Sequence, residues 1–561
     1  MVAESTQELR SDQEIASSIN PLPIAEIVAE KLNIPDNALT TYGKFKAKID
    51  PRELDSSSNE ALGKLVLVTG VSPTPAGEGK TTTTVGLADS LNHIGVRSIA
   101  ALREPSLGPC FGMKGGAHGG GFAQVTPMDD INLHFNGDIH AVTSAHNLLA
   151  SLIDNHLYWG NQLDIDPESI SWTRSLDLND RVLRSMDLRI RRNLSRTGGF
   201  NITAASEIMA ILCLAEDLDD LERRLGNIVI GFKRDLQPVR CRDLEIEGAL
   251  AVLLKDAIHP NLVQTLEHNP VLVHGGPFAN IAHGCNSIIA TRTAMQLSDV
   301  VVTEAGFGAD LGAEKFLNIK CRLAGLNPSL IVIVCTVRSL KFQGGVGISD
   351  IQEPNVGAVK AGLTNLLRHI ENMLAFGVPA VVALNRFSHD SEGEHEAIVS
   401  AVKNVGSDCF VCNHWEEGGL GALELAEFVG NLSSEVPDLR FCYDLEDTLF
   451  DKISHVATKI YRAQGVEFSE TATQKLSHYQ DVGYGDLPVC IAKTQYSFSA
   501  NPEALGAPTD HILPVRDVSL SAGAGFVVAL SGSIMTMPGL PRRPSAMDIR
   551  LNENHQIVGL F

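Results

Sequence analysis

The most specific chemical signal in the sequence is a glycine-rich segment that ends in Gly79, Lys80 and Thr81. In a phosphate-binding loop the glycines let amides approach the phosphates, the lysine contacts the β and γ phosphates, and the next hydroxyl binds Mg²⁺. The match to G-x-x-x-x-G-K-[ST] is incomplete, because Thr74 stands at the first glycine position. An apolar stretch before the segment and a helical pattern after it favour a phosphate site over a turn with a surface lysine. The predicted nucleotide-binding residues are Thr74, Pro75, Ala76, Gly77, Glu78, Gly79, Lys80 and Thr81, with Lys80 also catalytic and Thr81 also a metal ligand.

A cationic side chain follows the next apolar stretch. Residues 98–102 (SIAAL) are typical of a strand, and Arg103 and Glu104 come directly after it. Ligands of open parallel sheets bind outside the carboxyl ends of the strands, so Arg103 is placed to hold a small carboxylate or an acyl phosphate. A structural salt bridge is the other interpretation of this arginine. The glycine-rich run at residues 114–121 is either a loose surface loop or a source of amides for an anion, and its position after Arg103 favours the anion.

Aromatic side chains follow three later apolar stretches. Phe307 lies in TEAGFGAD, Phe387 in NRF, and Trp415 in HWEEGG beside a glycine pair. If those stretches are parallel strands, Phe307 and Phe387 reach the same rim of the sheet. The chain has 3 Trp, and one beside glycines is a candidate stacking platform for a flat ring, although a tryptophan alone is more often part of a core.

Two cysteines, Cys409 and Cys412, have the spacing of metal ligands. The sequence holds no second C-x-x-C, and a structural zinc site needs four ligands. We therefore interpret the pair as small apolar residues on a buried strand. The 10 cysteines are scattered through the chain, which is typical of reduced thiols in a cytosol.

Buried parallel strands are predicted where apolar runs do not alternate with polar residues. Such runs occupy residues 65–69, 98–102, 227–230, 271–273, 299–303, 330–335 and 380–384. They predict an α/β core that extends to about residue 440, preceded by a helical leader at residues 23–34. We interpret the charged stretch at residues 164–196 as an excursion beside the sheet that forms a solvated helix. A helix at residues 447–464 and short β-like pieces after it predict a small further domain.

Composition excludes other classes of protein. Lys and Arg number 45 against 67 Asp and Glu, and the formal charge of −22 would repel a polyanion, so nucleic acid is not an expected ligand. No apolar run reaches the length of about 18 residues that a membrane span needs. The first residues also lack the pattern of a signal peptide, so we expect a cytoplasmic protein with no membrane partner.

Taken together, these segments resemble those of the formate–tetrahydrofolate ligase (10-formyltetrahydrofolate synthetase) family. The resemblance covers roughly residues 65–545, in the expected order, through TPAGEGKTTTTVGL, REPSLGPCFGMKGGA, INLHFNGDIHA, AHNLLASLIDNH, TEAGFGADLGAEKF, NRF, HWEEGG, AKTQYSFS and SAGAGFVVALSGSIMTMPGLP. We expect the monofunctional form, since no dehydrogenase or cyclohydrolase part accompanies them. Departures from the family pattern are small: His118 stands for an alanine, Phe122 for a tyrosine and Asn201 for an aspartate, and the segment after Phe387 differs.

The apolar pattern and the resemblance predict an α/β fold with a P-loop-type, mainly parallel sheet flanked by helices and additional smaller α/β domains. The expected domains are a nucleotide- and formate-binding P-loop domain at residues 1–340, an α/β domain with the folate pocket at 341–450, and a small C-terminal α+β domain at 451–561.

The resemblance also implies a reaction. MgATP would transfer its γ-phosphoryl group to formate, and N10 of tetrahydrofolate would attack the formyl phosphate, giving 10-formyltetrahydrofolate, ADP and phosphate. Arg103 would hold formate and then the oxyanion, and Phe387 and Trp415 would sandwich the pterin, with Phe307 a weaker pocket candidate. Glu104 would order the site or handle the proton. A monovalent cation activator such as K⁺ and a homotetramer are also implied.

Two other functions stay open on the sequence alone. One is a P-loop ATPase that acts as a nucleotide-dependent switch on a protein partner, although such proteins are generally smaller and would leave NRF and HWEEGG unexplained. The other, weaker, option is a folate-binding protein without catalysis. The response of ADP release to formate and to tetrahydrofolate separates the three.

Overall fold

One twelve-stranded sheet forms the centre of the computed structural model, which describes residues 10–54, 62–75, 77–112, 118–532 and 534–560. Its strands in chain order are β1 (Leu39–Thr41), β2 (Ala47–Ile49), β3 (Lys64–Gly70), β4 (Ser98–Leu102), β5 (Gly119–Gly120), β6 (Ala123–Thr126), β7 (Asn261–Thr265), β8 (Pro270–Val273), β9 (Val300–Glu304), β10 (Leu330–Thr336), β11 (Ala380–Asn385) and β12 (Cys409–Cys412). The order across the sheet is β1-β2-β7-β8-β4-β9-β3-β10-β11-β12, with β6 on β7 and β5 on β6. Every neighbouring pair from β8 to β12 in this order is parallel, and the other pairs are antiparallel.

The parallel part of the sheet confirms the predicted α/β class. Every residue of β4, β9, β10 and β11 is buried, as expected of strands that are covered on both faces. Alternate side chains of β3 enter two apolar layers: Leu65 and Leu67 pack in one layer, and Val66 and Val68 in the other. The sheet therefore lies between two apolar layers, one on each face.

Helices cover both faces. Those of at least seven residues in the described ranges are α1 (Asp12–Ser18), α2 (Lys80–His93), α3 (Asp138–Tyr158), α4 (Glu207–Leu214), α5 (Leu218–Asn227), α6 (Glu247–Leu254), α7 (Ile288–Leu297), α8 (Val337–Gln343), α9 (Val356–Ala375), α10 (Glu392–Asn404), α11 (Leu423–Gly430), α12 (Leu449–Lys459) and α13 (Glu470–Tyr479). α2 and α11 bury apolar side chains in the layer of Val66, whereas α7 and α9 pack in the layer of Leu65. Among the described helices, none is both long and apolar enough to cross a lipid bilayer.

Two predicted elements differ from the structure. The strand predicted at residues 227–230 is Val229–Phe232, which pairs antiparallel with Pro238–Arg240 outside the central sheet. The helix predicted in the charged stretch is wrong, because Met186–Arg191 and Leu194–Gly198 form an antiparallel hairpin there. In Met186–Arg191 half-buried residues alternate with exposed ones, which is the period of a strand. The stretch does lie outside the central sheet, as expected of an excursion.

Cys409 and Cys412 lie on β12, which is the last strand at one edge of the sheet. The interpretation of this strand as buried is wrong in part: Cys412 is buried, but Val411 is 42% exposed and Cys409 is only half-buried. The reason is the edge position, which leaves one side of β12 without a neighbouring strand. All ten cysteines are free thiols, and nine of them are buried.

The chain on both sides of residue 340 contributes to the same sheet, because β10 and β11 pair in parallel. Beyond residue 440, α12 is shorter than the predicted helix at residues 447–464, and a three-stranded sheet forms from Val489–Ala492, Phe526–Leu530 and Asp517–Ser521. The helical leader is confirmed by Ile24–Ile27 and the π-helical turn that continues it. The division into three domains stays a prediction.

Candidate active site

The segment predicted to bind phosphate has the expected context of strand, loop and helix. β3 ends at Gly70, and α2 begins at Lys80 after Gly79, whose φ of +77° favours glycine. No side chain caps the start of α2, so the first amides of this helix of 14 residues are available to an anion. Thr74, Pro75, Gly77 and Glu78 lie in the same loop, while Ala76 lies outside the described residues.

Glu78 organises the loop from within. It is almost completely buried, and its carboxylate accepts a hydrogen bond from the backbone N–H of Thr74 at 2.7 Å. Its second oxygen lies 3.9 Å from Nζ of Lys80. Burial raises the pKa of Glu78, while the charge of Lys80 opposes that rise. Lys80 therefore lies close to a buried carboxyl group. Its Cδ atom is 3.3 Å from the position that a Cβ on Gly70 would occupy.

Asn385, at the end of β11, connects this loop to a strand that lies two positions from β3 in the sheet. Its Nδ2 donates to the carbonyl oxygen of Glu78 at 2.9 Å and to Oγ1 of Thr83 at 3.1 Å. Thr83 in turn donates to the carbonyl of Gly79 at 3.0 Å and lies 3.2 Å from Nε2 of His414. Asn385 was not predicted as a site residue, although it lies in the NRF segment beside Phe387.

Thr81 at the start of α2, Glu304 at the end of β9 and Arg103 directly after β4 come together. Oγ1 of Thr81 donates to Oε2 of Glu304 at 2.7 Å, and Nη2 of Arg103 lies 3.6 Å from Oε1 of Glu304. Glu304 is 2% exposed, whereas 23% of the Arg103 side chain is exposed. The structural salt bridge and the functional interpretation of Arg103 are thus both compatible with the geometry. Glu304 was missed as a site residue, although it directly follows the apolar run at residues 299–303.

The turn after β9 packs beside Arg103. A Cβ on Gly306 would lie 2.8 Å from Nη1 of Arg103, so a larger residue there would displace the guanidinium. Phe307 follows with a φ of +60°, which is a strained conformation for an aromatic residue. Asp310, three residues further along, forms a fully buried ion pair with Lys493 at 2.8 Å. Phe307 is therefore close to the Arg103 side of the site, and its part in a pocket stays a prediction.

Glu104 has a different charged environment from Arg103. Burial raises its pKa well above that of a free carboxyl, and the nearby charge of Asp138 adds to the rise. Its other charged neighbours are Lys48 and Asp177, and it borders a cavity of about 280 Å³. The structure does not join Glu104 to Glu304 or Lys80 through any hydrogen bond among the described residues, so its catalytic role stays a prediction.

Phe387 and Trp415 follow the neighbouring parallel strands β11 and β12. Both side chains are half-buried. The guanidinium of Arg338 lies 3.7 Å from the centre of the Phe387 ring, so one face of this ring already has a cationic partner. Trp415 lies in the short helix His414–Glu417, and its carbonyl accepts the N–H of Phe122 at 2.9 Å. Both residues therefore follow strand ends at the same edge of the sheet, and their part in a pterin pocket stays a prediction.

Glu267 holds the loop that follows Trp415. Its Oε1 accepts the N–H of Gly419 at 2.7 Å, and its Oε2 lies 2.7 Å from Nε2 of His93 on α2. The loop is therefore fixed to α2 as well as to β12.

Asp89 is a buried carboxyl on α2 that accepts hydrogen bonds from Thr265 and Asn269, both at 2.7 Å. Burial, and then the charge of Glu267, raise the pKa of Asp89 to about 8.

A carboxyl that is ionised in the unfolded chain but protonated in the fold lowers stability as the pH rises from about 4 to about 8. We therefore expect Asp89→Asn to increase the free energy of unfolding more at pH 8 than at pH 5. Urea unfolding at both pH values measures this, with the exposed Asp438→Asn as the control; equal effects at both values would contradict it.

Comparison with known proteins gives a consistent result. The family model for formate–tetrahydrofolate ligase matches residues 10–561. The formate–tetrahydrofolate ligase of Granulibacter bethesdensis is 57% identical over 559 residues, which are 99% of this chain and 98% of that protein. Those of Rhizobium rhizogenes and Pelagibacter ubique are 58% and 55% identical over 558 and 560 residues, and each alignment covers 99% of this chain and 100% of the relative. Because the family model and these identities extend over nearly the whole chain, the resemblance predicted from its motifs is confirmed, and the chain belongs to the formate–tetrahydrofolate ligase family.

Proposed function

We propose that this protein joins formate to N10 of tetrahydrofolate in an ATP-dependent reaction that passes through formyl phosphate. The observation that carries the proposal is the cluster of Lys80, Thr81, Glu304 and Arg103 at the carboxyl ends of three adjacent strands. Such a site has cations and free helix amides for a polyphosphate beside a cation for a small carboxylate.

The first step is phosphoryl transfer between two anions. A formate oxygen forms a bond to the γ phosphorus, and the bond from that phosphorus to the β,γ-bridging oxygen breaks, which releases ADP. Positioning and charge neutralisation supply most of the catalysis in such transfers. Lys80 and the first amides of α2 neutralise the phosphates, and Arg103 holds the formate carboxylate in line.

Mg²⁺ would enter this site with ATP. Oγ1 of Thr81 and the carboxylate of Glu304 are the oxygen ligands that Mg²⁺ prefers, and Oε1 of Glu304 is buried without a hydrogen bond. Within the described ranges, no group of three or more His, Cys, Asp or Glu side chains is arranged to hold a metal ion, so most ligands would be phosphate oxygens and water. When bound, the ion neutralises negative charge on the β and γ phosphates.

The second step forms the carbon–nitrogen bond. The N10 lone pair attacks the formyl carbon, the carbon–oxygen bond to phosphate breaks, and N10 loses its proton. Arg103 remains beside the oxygen that becomes negative. Phe387 and Trp415 hold the pterin by stacking, Phe307 contributes to the pocket, and Glu104 orders the site or accepts the proton.

Loss of the Trp415 ring is expected to weaken folate binding. A base–aromatic stack contributes about 1–3 kcal/mol, and a pterin is comparable in size to a base, so Trp415→Ala should raise the Kd of tetrahydrofolate about tenfold or more. Isothermal titration measures the Kd, and Trp159→Ala is the control, because Trp159 is 71% exposed at the end of α3. An unchanged Kd for Trp415→Ala would show that Trp415 does not line the folate pocket.

Substrate dependence of ADP release tests the function as a whole. We expect rapid ADP release only when formate and tetrahydrofolate are both present. A nucleotide-dependent switch on a protein partner would ignore formate, and a folate-binding protein without catalysis would release no ADP. Either result would overturn the proposal.

The proposal also covers the ion activation, the assembly and the location of the enzyme. We expect activation by a monovalent cation such as K⁺, a homotetramer in solution and a cytoplasmic location, as the family resemblance implies. The formal charge of −22 supports the absence of nucleic acid among its partners. Light scattering of the purified protein measures the assembly, and activity in K⁺ against a tetramethylammonium salt measures the activation.

A further inference from the structure

The N-terminal helix α1 contacts the hairpin of β5 and β6, which turns at Gly121 and Phe122 and which we call the glycine hairpin (residues 119–126). Oδ1 of Asp12 accepts the N–H of Gly121 at 2.7 Å. The carbonyl oxygen of Asp12 accepts Nε2 of Gln124 at 2.9 Å, and the same amide donates to the carbonyl of Gly121 at 2.6 Å. Both the side chain and the main chain of Asp12 therefore hold this turn.

Trp415 also contacts this turn. Its carbonyl accepts the N–H of Phe122, and a Cβ on Gly121 would overlap with that carbonyl. A Cβ on Gly120 would lie 3.3 Å from Nε1 of Trp415 and 3.4 Å from Oδ2 of Asp12. The Asp12 carboxylate and the indole therefore both approach Gly120 at the place where a side chain would otherwise lie.

α1 is itself held in place by three contacts. Ser11 and Glu14 form a capping box at its start, and Ile15 is buried. Nε2 of Gln13 donates to the carbonyl of Ile557, in the hairpin near the C-terminal end of the described chain. A helix of seven residues is not stable alone in water, so these contacts keep Asp12 ordered at the glycine hairpin.

We propose that Asp12 is a positioning residue for tetrahydrofolate, which acts by fixing the glycine hairpin against Trp415. This inference rests on the proposed function, since a folate ring is the expected occupant beside the indole. Asp12 acts through Gly121 and Trp415, so its loss changes folate binding and leaves phosphoryl transfer intact. Phosphoryl transfer depends instead on Lys80 and Arg103.

Three variants of the full-length protein test the proposal. Asp12→Ala removes the acceptor of the Gly121 N–H, whereas Asp12→Asn keeps an oxygen in that place. Ser17→Gly, at an exposed position of α1, weakens the helix without altering Asp12. Hydrogen–deuterium exchange of the substrate-free protein reports the amides of residues 119–124, and steady-state kinetics give KM for each substrate.

We expect Asp12→Ala to exchange faster at residues 119–124 and to raise KM for tetrahydrofolate about five- to tenfold, the effect of one lost hydrogen bond. Its kcat and its KM values for ATP and formate should stay within about twofold of the wild type, the scatter expected for sites that share no partners. Asp12→Asn and Ser17→Gly should resemble the wild type in both measurements.

Unchanged exchange in Asp12→Ala, an unchanged KM for tetrahydrofolate, or the same increase in Ser17→Gly would each overturn the inference. A wild-type protein that makes no 10-formyltetrahydrofolate would instead overturn the proposed function and the folate part of this inference with it. The exchange measurement uses no substrate, so the two failures are distinguishable.

Discussion

Lys80→Ala is expected to lower kcat by about 10³-fold or more while tetrahydrofolate binds with its normal Kd. Lys80 is the one charged side chain of the segment at residues 74–81 other than Glu78, and it begins the helix whose first amides face the loop. Without it, no lysine in this segment remains to neutralise the charge that develops on the transferring phosphoryl group. Stopped-flow measurement of ADP release, together with titration of tetrahydrofolate, gives the two quantities.

A structural effect of this change is separable from a catalytic one. Lys80→Ala leaves the buried carboxylate of Glu78 without its nearby cation, which costs stability. Lys80→Gln keeps most of the stem against Gly70 but removes the charge, and thermal unfolding of both variants reports the fold. The surface variant Lys255→Ala is the matched control, since Lys255 is exposed at the end of α6. Near-normal turnover in a folded Lys80→Gln would refute the phosphate-site assignment.

Arg103→Ala is expected to reduce kcat/KM for formate by about 10²- to 10³-fold, with little change in the Kd of ATP. The guanidinium is the cation at the end of β4 that is exposed enough to meet a small carboxylate, and it would contact formate in both steps. Saturation kinetics in formate and equilibrium binding of an ATP analogue measure the two effects.

Arg103→Lys serves as the conservative variant. A lysine keeps the charge beside Glu304 but lacks the planar, bidentate geometry of a guanidinium, so we expect an activity between the wild type and Arg103→Ala. If Arg103→Ala instead lost ATP affinity in proportion to activity, Arg103 would be a nucleotide-binding residue.

The local parts of the site could be predicted from the sequence. The apolar run at residues 65–69, the glycines and the helical pattern after Lys80 are all continuous in the chain, and each depends on the period of its own element. The strand ends that carry Arg103, Phe307 and Phe387 followed in the same way from single apolar runs. Their arrival at one edge of the sheet needs only that the strands are parallel.

The contacts between distant segments could not be predicted. Glu304 lies 223 positions from Thr81, and Asn385 lies 302 positions from Thr83, so both pairs depend on the order of strands across the sheet. A single sequence does not contain that order. The same missing information made β12 look buried, because an edge strand and an inner strand have similar apolar residues. Asp12 lies in no recognisable motif, so its contact with Gly121 could not be predicted either.

The central claim is that formate is activated by the γ-phosphoryl group of ATP before its carbon reaches N10. Formate labelled with ¹⁸O at both oxygens tests this most directly, with unlabelled ATP, tetrahydrofolate and the purified protein, followed by mass analysis of the released phosphate. If formyl phosphate forms, the formate oxygen that attacked phosphorus leaves with it, and each phosphate carries one ¹⁸O. Phosphate without the label, released together with 10-formyltetrahydrofolate, would contradict the account.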